Sequence, residues 1–220
     1  ALLALSFLSG CASVADAGRL AEVEIVSRAS GQKLETWRHG GRLYVAGTPG
    51  ERYAVRLANR SGGRLLAVLS VDGVNAVSGE TAAAWQSGYV LDPRQSAEIR
   101  GWRKSLDDVA AFYFTALADA YAARTGRPDN VGVIGVAVFR EFVEPRPEPM
   151  VSGALSRQAP AAAESARDAV GEARAKREAE RLGTGHRERL NDPTRYTDFR
   201  RAGEAPAEVL TIHYDSRENL

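Results

Sequence analysis

A chain of 220 residues with 44% hydrophobic side chains is long enough to bury one ordinary hydrophobic core. Its 29 basic and 28 acidic residues leave a formal charge of +1, so no whole-molecule field draws it to nucleic acid or to an anionic surface. Because the chain has one cysteine, it forms no internal disulfide, and its stability has to come from the core.

The first residues form a short apolar run that ends at this cysteine. Residues 1–10 are too few to span a membrane, which takes about 20 apolar residues. A free thiol in an N-terminal core helix would need caps and an amphipathic stripe, and neither is present. The sequence Leu8–Cys11, "LSGC", resembles a bacterial lipobox. That resemblance implies a partial signal peptide over 1–10, a lipidated Cys11 and a tether over 11–19; Ala12 favours the outer membrane, facing the periplasm.

Short strands are predicted from residue 20 onward. "AEVEIV" alternates apolar and acidic residues, and "KLETW" and "RLYVA" flank a glycine turn that predicts a hairpin. "RYAVRLAN" predicts a half-solvated strand with Tyr53, Val55 and Leu57 facing inward. "RLLAVLSV" and "VGVIGVAVF" are apolar on both faces and predict two central strands.

Turn residues then suggest how these strands are connected. The pair Asp72–Gly73 predicts a tight hairpin, because its turn needs positive φ angles. Alanine-rich spacing predicts a short helical break over Ala116–Gly126, ending at the glycine. Many short strands separated by regular turns predict a mainly β fold, an antiparallel β-sandwich or a barrel-like domain.

The composition changes after the β-rich domain, which is expected to cover 20–145. "EPRPEP" predicts a domain edge, and 146–207 is interpreted as a Pro/Ala/charged linker that could hold a solvated helix. That polar, partly helical region is alanine, glutamate and arginine over Ala159–Leu182, with Gly183 as a C-cap. The alternation of "EVLTIHY" within 208–220 could return as an edge strand of the main sheet.

No motif of the sequence points to catalysis. The histidines His39, His186 and His213 lack the spacing of a zinc site, and "GTGH" and "GVIGVAV" lack essential parts of phosphate and dinucleotide loops. No nucleophile elbow G-x-S-x-G occurs. We therefore expect no catalytic residue, metal or cofactor, although a pair of distant carboxylates could still form the site of an envelope hydrolase.

One cluster has the composition of a ligand-binding patch. "RGWRKS" places Trp102, Arg103 and Lys104 together, one strand after Tyr89. An exposed Trp102 could stack on a sugar or peptide while Arg103 and Lys104 pair with carboxylates such as those of cell-wall material. Alternatively, Trp102 closes the end of the core and the two cations stay hydrated.

Five segments together resemble a group of uncharacterised bacterial lipoproteins and secreted proteins: "SVDGVNAVSGE", "GYVLDP", "EIRGWRKS", "VAAFYF" and "YAARTGRPDNVGVIGVAVF". The resemblance covers about Arg52–Arg140. It implies the envelope compartment and a compact domain, and it transfers no catalytic residue. The expected function is non-catalytic binding or scaffolding by a protein that is attached to the membrane through its lipidated N-terminus. The expected partner is an envelope protein or cell-wall glycan, and no nucleic acid is expected to bind.

Overall fold

The computed structural model describes residues 20–126, 130–144 and 181–220. Within these ranges the chain forms thirteen strands, a 3-10 turn at Leu117–Asp119 and the short helix α1 at Tyr121–Arg124. The strands are β1 (Ala21–Ser27), β2 (Thr36–His39), β3 (Arg42–Gly47), β4 (Tyr53–Asn59), β5 (Leu65–Val71), β6 (Val74–Asn75), β7 (Tyr89–Leu91), β8 (Ser96–Ile99), β9 (Gly101–Arg103), β10 (Asp108–Ala116), β11 (Val133–Arg140), β12 (Leu182–Asn191) and β13 (Glu208–Ser216).

The strands form a β-sandwich. One layer is a seven-stranded sheet in the order β2-β3-β13-β11-β5-β6, with β7 also paired to β5. The other layer holds two three-stranded sheets, β1-β4-β8 and β12-β10-β9, which meet at a bridge between Arg52 and Tyr113. The described strands do not close into a barrel, so of the two predicted architectures the sandwich is confirmed.

Aromatic rings join the layers in one core. Tyr53 of β4 stacks on Phe114 of β10 at 4.4 Å, and Phe114 lies 5.3 Å from Tyr214 of β13. All three rings are buried, and full burial of such a side chain stabilises the fold by about 1.5–3 kcal/mol. The inward orientation predicted for β4 is therefore confirmed.

Several local predictions for residues 20–140 are confirmed. β2 and β3 form the expected hairpin, and β11 pairs on both sides, with β5 and β13. Asp72 and Gly73 have φ angles of 54° and 71°, as a tight turn between β5 and β6 requires. The helical break is present as the 3-10 turn and α1, and Gly126, at φ 75°, follows it.

The strand predicted within 208–220 is present as β13, but its predicted position at the edge of the sheet is wrong. β13 lies inside the seven-stranded sheet, antiparallel to β11 and parallel to β3, so this sheet is mixed rather than purely antiparallel. The physical reason is visible in the burial: Leu210, Ile212 and Tyr214 face the core, whereas Val209 on the other face is exposed. A strand with one complete apolar face is best placed between two neighbours.

The interpretation of 146–207 as a linker is wrong for its described part. Residues 182–191 form β12, which pairs with β10 from Leu182 to Asn191, and Gly183 lies within the strand rather than capping a helix. The sequence "LGTGHRERLN" lacks an apolar alternation, because its place depends on main-chain pairing and on small residues. A Cβ atom at Gly183 would lie 2.4 Å from the side chain of Ala120. The remainder of the predicted helix, residues 159–180, lies outside the described residues.

A buried polar network connects three strands and two turns. Asp72 accepts hydrogen bonds from the amides of Gly132 and Thr184 at 2.9 and 2.6 Å, and from the hydroxyl of Tyr214. The Thr184 hydroxyl continues the network to Tyr214 at 2.6 Å and to Tyr53 at 2.5 Å. Each of these polar groups therefore has a partner inside the core, as burial requires.

Candidate functional site

An open groove lies beside the seven-stranded sheet where three segments meet. The segments are the Trp85 loop (residues 76–88), the β9–β10 turn (residues 104–107) and the 192–207 segment between β12 and β13. The groove, named here the Trp85 groove, encloses about 720 Å³. The lining includes several aromatic and cationic side chains: Trp85, Tyr89, Arg103, Lys104, Arg195, Tyr196 and Arg201.

Trp85 is exposed although its loop is firmly held. The side chain is 75% exposed. The neighbouring Gln86 is buried, and its Oε1 accepts hydrogen bonds from Asn75 at 3.1 Å and from the Ala83 amide at 2.9 Å. Its Nε2 donates to the Thr81 carbonyl at 3.0 Å. The loop is therefore fixed from within, and the indole remains on its surface.

Arg201 fastens the same loop from the other side. Its guanidinium donates to the carbonyl of Ala84 at 3.0 Å and to that of Gln86 at 2.7 Å, the two residues next to Trp85. The guanidinium also lies 4.1 Å from the ring centre of Phe139, and burial lowers the pKa of Arg201. Trp85 is thus preorganised by bonds on both of its sides.

The 192–207 segment is held against the sheet as well. Phe199 packs on a small apolar cluster of Leu66, Val68 and Phe139 on the outer face of the sheet. Arg64 donates to the Thr197 hydroxyl at 3.1 Å and to the Asp198 carbonyl at 3.2 Å. Tyr196, which is 88% exposed, is therefore carried by a fixed backbone.

Three of the four residues predicted for the ligand patch line this groove. Tyr89, Arg103 and Lys104 are brought together there by β7, β9 and the β9–β10 turn. Of the two interpretations of Trp102, the exposed ligand contact is wrong and the closure of the core is confirmed, because this side chain is only 2% exposed and points into the core. Its ring meets Phe112 edge-on at 4.8 Å. Successive side chains of a strand point to opposite faces, so Trp102 closes the core while Arg103 faces the groove.

The cations of the groove differ in how far they are neutralised. Arg103 donates to the carbonyl of Asp192, and its guanidinium lies 3.9 Å from the Asp192 carboxylate and 5.9 Å from the centre of the Tyr89 ring. Lys104 and Arg195 are exposed and form no ion pair with any described residue. No carboxylate is among the described residues that line the groove. Lys104 and Arg195 therefore present uncompensated positive charge.

Tyr89 contributes an unsatisfied polar group. Its hydroxyl is buried beside the Arg103 guanidinium and forms no hydrogen bond of good geometry with any described residue. Burial raises the pKa of Tyr89, and Arg103 opposes that rise, so the phenol stays neutral and keeps its proton. An unpaired buried hydroxyl is unfavourable, and a ligand or an ordered water in the groove would relieve it.

Trp85, Arg195, Tyr196 and Arg201 were not foreseen as site residues. Trp85 lies in a loop whose burial has no periodic signal, and the other three lie in the stretch interpreted as a linker. The signal that could have found them is local composition: "DPTRYTDFRR" has two aromatic residues, Tyr196 and Phe199, among arginines, and aromatic residues are depleted in solvated linkers.

The lipidation residue Cys11 lies outside the described residues. Across 20–126, 130–144 and 181–220, no group of three or more His, Cys, Asp or Glu side chains could hold a metal ion. In the same ranges, no helix is both long and apolar enough to cross a membrane.

Comparison of the chain with protein-family models, with curated proteins and with solved structures finds no match.

Proposed function

We propose that this protein is a non-catalytic binding module of the bacterial cell envelope, anchored through lipidated Cys11, and that its Trp85 groove binds a chain of acidic sugars. The observation that carries the groove proposal is an indole that is 75% exposed on a loop hydrogen-bonded on both sides. A rigid, exposed aromatic ring binds a ligand without first losing the conformational entropy of a mobile loop.

The charge of the groove favours an acidic ligand. Lys104 and Arg195 have no ion-pair partner among the described residues, and Arg103 is only partly compensated by Asp192. Because the described residues that line the groove contribute no carboxylate, a neutral ligand would leave these cations uncompensated. The formal charge of the whole chain is +1, so the attraction is local to this groove.

The aromatic residues favour sugars over an acidic peptide. Trp85 and Tyr196 present large ring faces to solvent at the groove. Sugar rings carry C–H groups on their faces that pack on aromatic rings, whereas aspartate and glutamate side chains have no comparable face. The combination of ring faces and free cations is therefore better matched by uronic acids or other carboxylated sugars.

The cell-envelope part of the proposal depends on the N-terminal sequence. The tetrad ending in Cys11 resembles a lipobox, and the small, polar residues 12–19 suit a tether. A module tethered to the periplasmic face of the outer membrane would meet wall glycan within reach of its anchor. This supports pairing the anchor with the groove as one function.

Isothermal titration with hexagalacturonate tests the groove. The unmodified chain is expected to bind this acidic oligosaccharide and not the neutral chitohexaose. Trp85→Ala is expected to weaken binding at the groove about tenfold, which is the size of a stacking interaction of roughly 1.4 kcal/mol. Val143→Ala is the matched control, since Val143 is 77% exposed and lies outside the groove.

The outcomes separate the ligand classes. If hexaglutamate bound as tightly as hexagalacturonate, the proposed ligand class would change from an acidic glycan to an acidic peptide. Unchanged affinity in Trp85→Ala, with circular dichroism showing a folded protein, would remove the groove from the proposal.

The intact mass of the membrane-extracted precursor product tests the anchor. The expected mass is that of a chain starting at Cys11 plus acyl groups, and Cys11→Ala should be unprocessed or released. An unmodified Cys11 in a soluble protein would overturn the anchor while leaving the groove experiment unaffected.

A further inference from the structure

A row of aromatic side chains crosses the other end of the seven-stranded sheet. Trp37 of β2 pairs with Tyr44 of β3, and Tyr44 pairs with His213 of β13. Directly paired residues lie on the same face of a sheet, so the three rings form one line across three strands. Leu43 and Val45, on either side of Tyr44, are buried, which places the row on the outer face.

The rings of this row remain partly exposed and lie next to cations. The centres of the Tyr44 and His213 rings are 5.4 Å apart, and the guanidinium of Arg217 lies 5.7 Å from the centre of the Trp37 ring. A cavity of about 540 Å³ opens here, and its lining includes Trp37, Arg38, Tyr44 and Arg217. No carboxylate side chain is among the described residues that line it.

His213 belongs to the row as a ring rather than as a charge. Burial lowers the pKa of His213, and the positive charges of Arg42 and Arg181 lower it further. The imidazole is therefore neutral at pH 7, and the positive charge of this surface comes from arginine.

We propose that this aromatic row, Trp37–Tyr44–His213, is a second binding face that takes the rings of an acidic glycan independently of the Trp85 groove. Partly exposed rings in one line supply a stacking surface, and Arg217, whose guanidinium lies over the Trp37 ring at the cavity, supplies a partner for a carboxylate group. The inference goes beyond the groove, because it does not need the groove to bind anything.

The same surface chemistry could stack nucleobases, but the charge argues against it. Proteins that bind single strands follow the phosphate backbone with an extended positive surface. Here the chain has a formal charge of +1, and the cavity beside the row contributes only two arginine side chains and one histidine. A sugar with occasional carboxylates matches two arginines better than one phosphate for every base.

The experiment measures the second face in a chain whose groove affinity is reduced about tenfold by Trp85→Ala. Hexagalacturonate is titrated into Trp85→Ala, then into Trp85→Ala/Trp37→Ala and Trp85→Ala/Val209→Ala. Val209 is 62% exposed on the outer face of β13 and outside the cavity, so it is the matched control. We expect the tighter of the two sites that remain in Trp85→Ala to be weakened about tenfold by Trp37→Ala and left unchanged by Val209→Ala.

Any other outcome of these titrations argues against one of the two sites. Loss of all binding in Trp85→Ala alone, or unchanged affinity after adding Trp37→Ala, overturns the second face and leaves the groove standing. Unchanged binding in Trp85→Ala that is lost on adding Trp37→Ala supports the second face and removes the groove.

Two further arms keep the test decisive. If Trp37→Ala alters the circular dichroism spectrum, Arg217→Ala replaces it and is expected to weaken the retained site at least threefold. Tighter binding of oligothymidylate than of hexagalacturonate to Trp85→Ala would overturn the glycan assignment.

Discussion

The Tyr214 hydroxyl donates to Oδ1 of Asp72 at 2.5 Å, at a position where Asp72 has no exposed surface. Burial raises the pKa of Asp72 from 3.8 to about 6, although the hydrogen bonds from Tyr214, Thr184 and Gly132 pull it down. Although the carboxylate has hydrogen-bond partners, burial in the core still favours its neutral, protonated form.

This relationship makes the stability of the fold depend on pH in a defined window. The folded state binds the Asp72 proton more tightly than the unfolded state does. The stability that this proton contributes is complete below about pH 4 and is lost as the pH rises through 6, a change of about 3 kcal/mol. Asp72→Asn removes the titration and keeps a residue that tolerates the φ of 54°.

We expect Asp72→Asn to destabilise the fold by about 2–4 kcal/mol at pH 4. The side-chain nitrogen of Asn cannot accept a hydrogen bond, so the Thr184 N–H, which donates to Oδ2 of Asp72, would lose its acceptor. The difference in unfolding free energy between the two proteins should shrink between pH 4 and pH 7. Urea unfolding at four pH values measures it. A difference that stays constant across this range would contradict the shifted pKa.

Arg201→Ala is expected to loosen the Trp85 loop. The change leaves the carbonyls of Ala84 and Gln86 without their donor, at a loss of about 1–3 kcal/mol. Amide hydrogen exchange over residues 80–88 should become faster, and hexagalacturonate should bind more weakly. Arg200→Ala is the control, since Arg200 is exposed and its guanidinium lies over Phe142. Equal exchange in both variants would show that Arg201 does not hold the loop.

Trp102→Ala is expected to act on stability rather than on a direct ligand contact. The indole is buried against Phe112, and its removal leaves a cavity that destabilises the fold by about 3–5 kcal/mol. Thermal unfolding should shift strongly, whereas affinity for hexagalacturonate measured well below the midpoint should change less than twofold. A large loss of affinity with an unchanged midpoint would return Trp102 to the ligand site.

Truncation after Pro149 is expected to unfold the domain instead of removing only a tail. It deletes β12 and β13, and with them the buried residues Thr184, Ile212 and Tyr214. The shortened chain should lack a cooperative urea transition that the full chain shows. A cooperative transition of unchanged slope in the truncated chain would contradict the pairing of β13 between β3 and β11.

Salt is expected to weaken binding at the groove through Lys104 and Arg195. Exposed charges are screened over about 8–10 Å at physiological ionic strength. Affinity for hexagalacturonate should fall several-fold between 50 and 300 mM sodium chloride, and Lys104→Gln/Arg195→Gln should remove most of this dependence. Measurements use the Trp37→Ala background, so that only the groove is titrated. A dependence that survives both substitutions would place the attraction elsewhere.

The strands that carry their own pattern could be predicted from the sequence. Apolar side chains alternate along β4 and occupy both faces of β11, so both strands could be predicted. The turn preference of Asp72–Gly73 is local and is not overridden by tertiary contacts. β12 could not be predicted, because its glycines and charged residues give no period and its place depends on β10. The central position of β13 requires knowing that β3 has a free edge, which is a non-local property.

The groove was predictable only in part. Arg103 and Lys104 stand out as a cationic cluster, but the face to which Trp102 points depends on the register of a three-residue strand, and a change of one residue reverses it. Trp85 is positioned by Gln86 and Arg201, and Arg201 is distant in sequence. No window of the sequence around Trp85 contains that contact.

The parallel pairing of β3 with β13 has a consequence for how the chain acquires its fold. β3 and β11 expose open edges until residues 208–216 arrive between them. A chain that emerges N-terminus first must therefore keep β3 and β11 apart, each with one edge unpaired, while the rest follows. Folding is expected to be delayed until β13 is available, and until then the two open strand edges make the intermediate prone to aggregation.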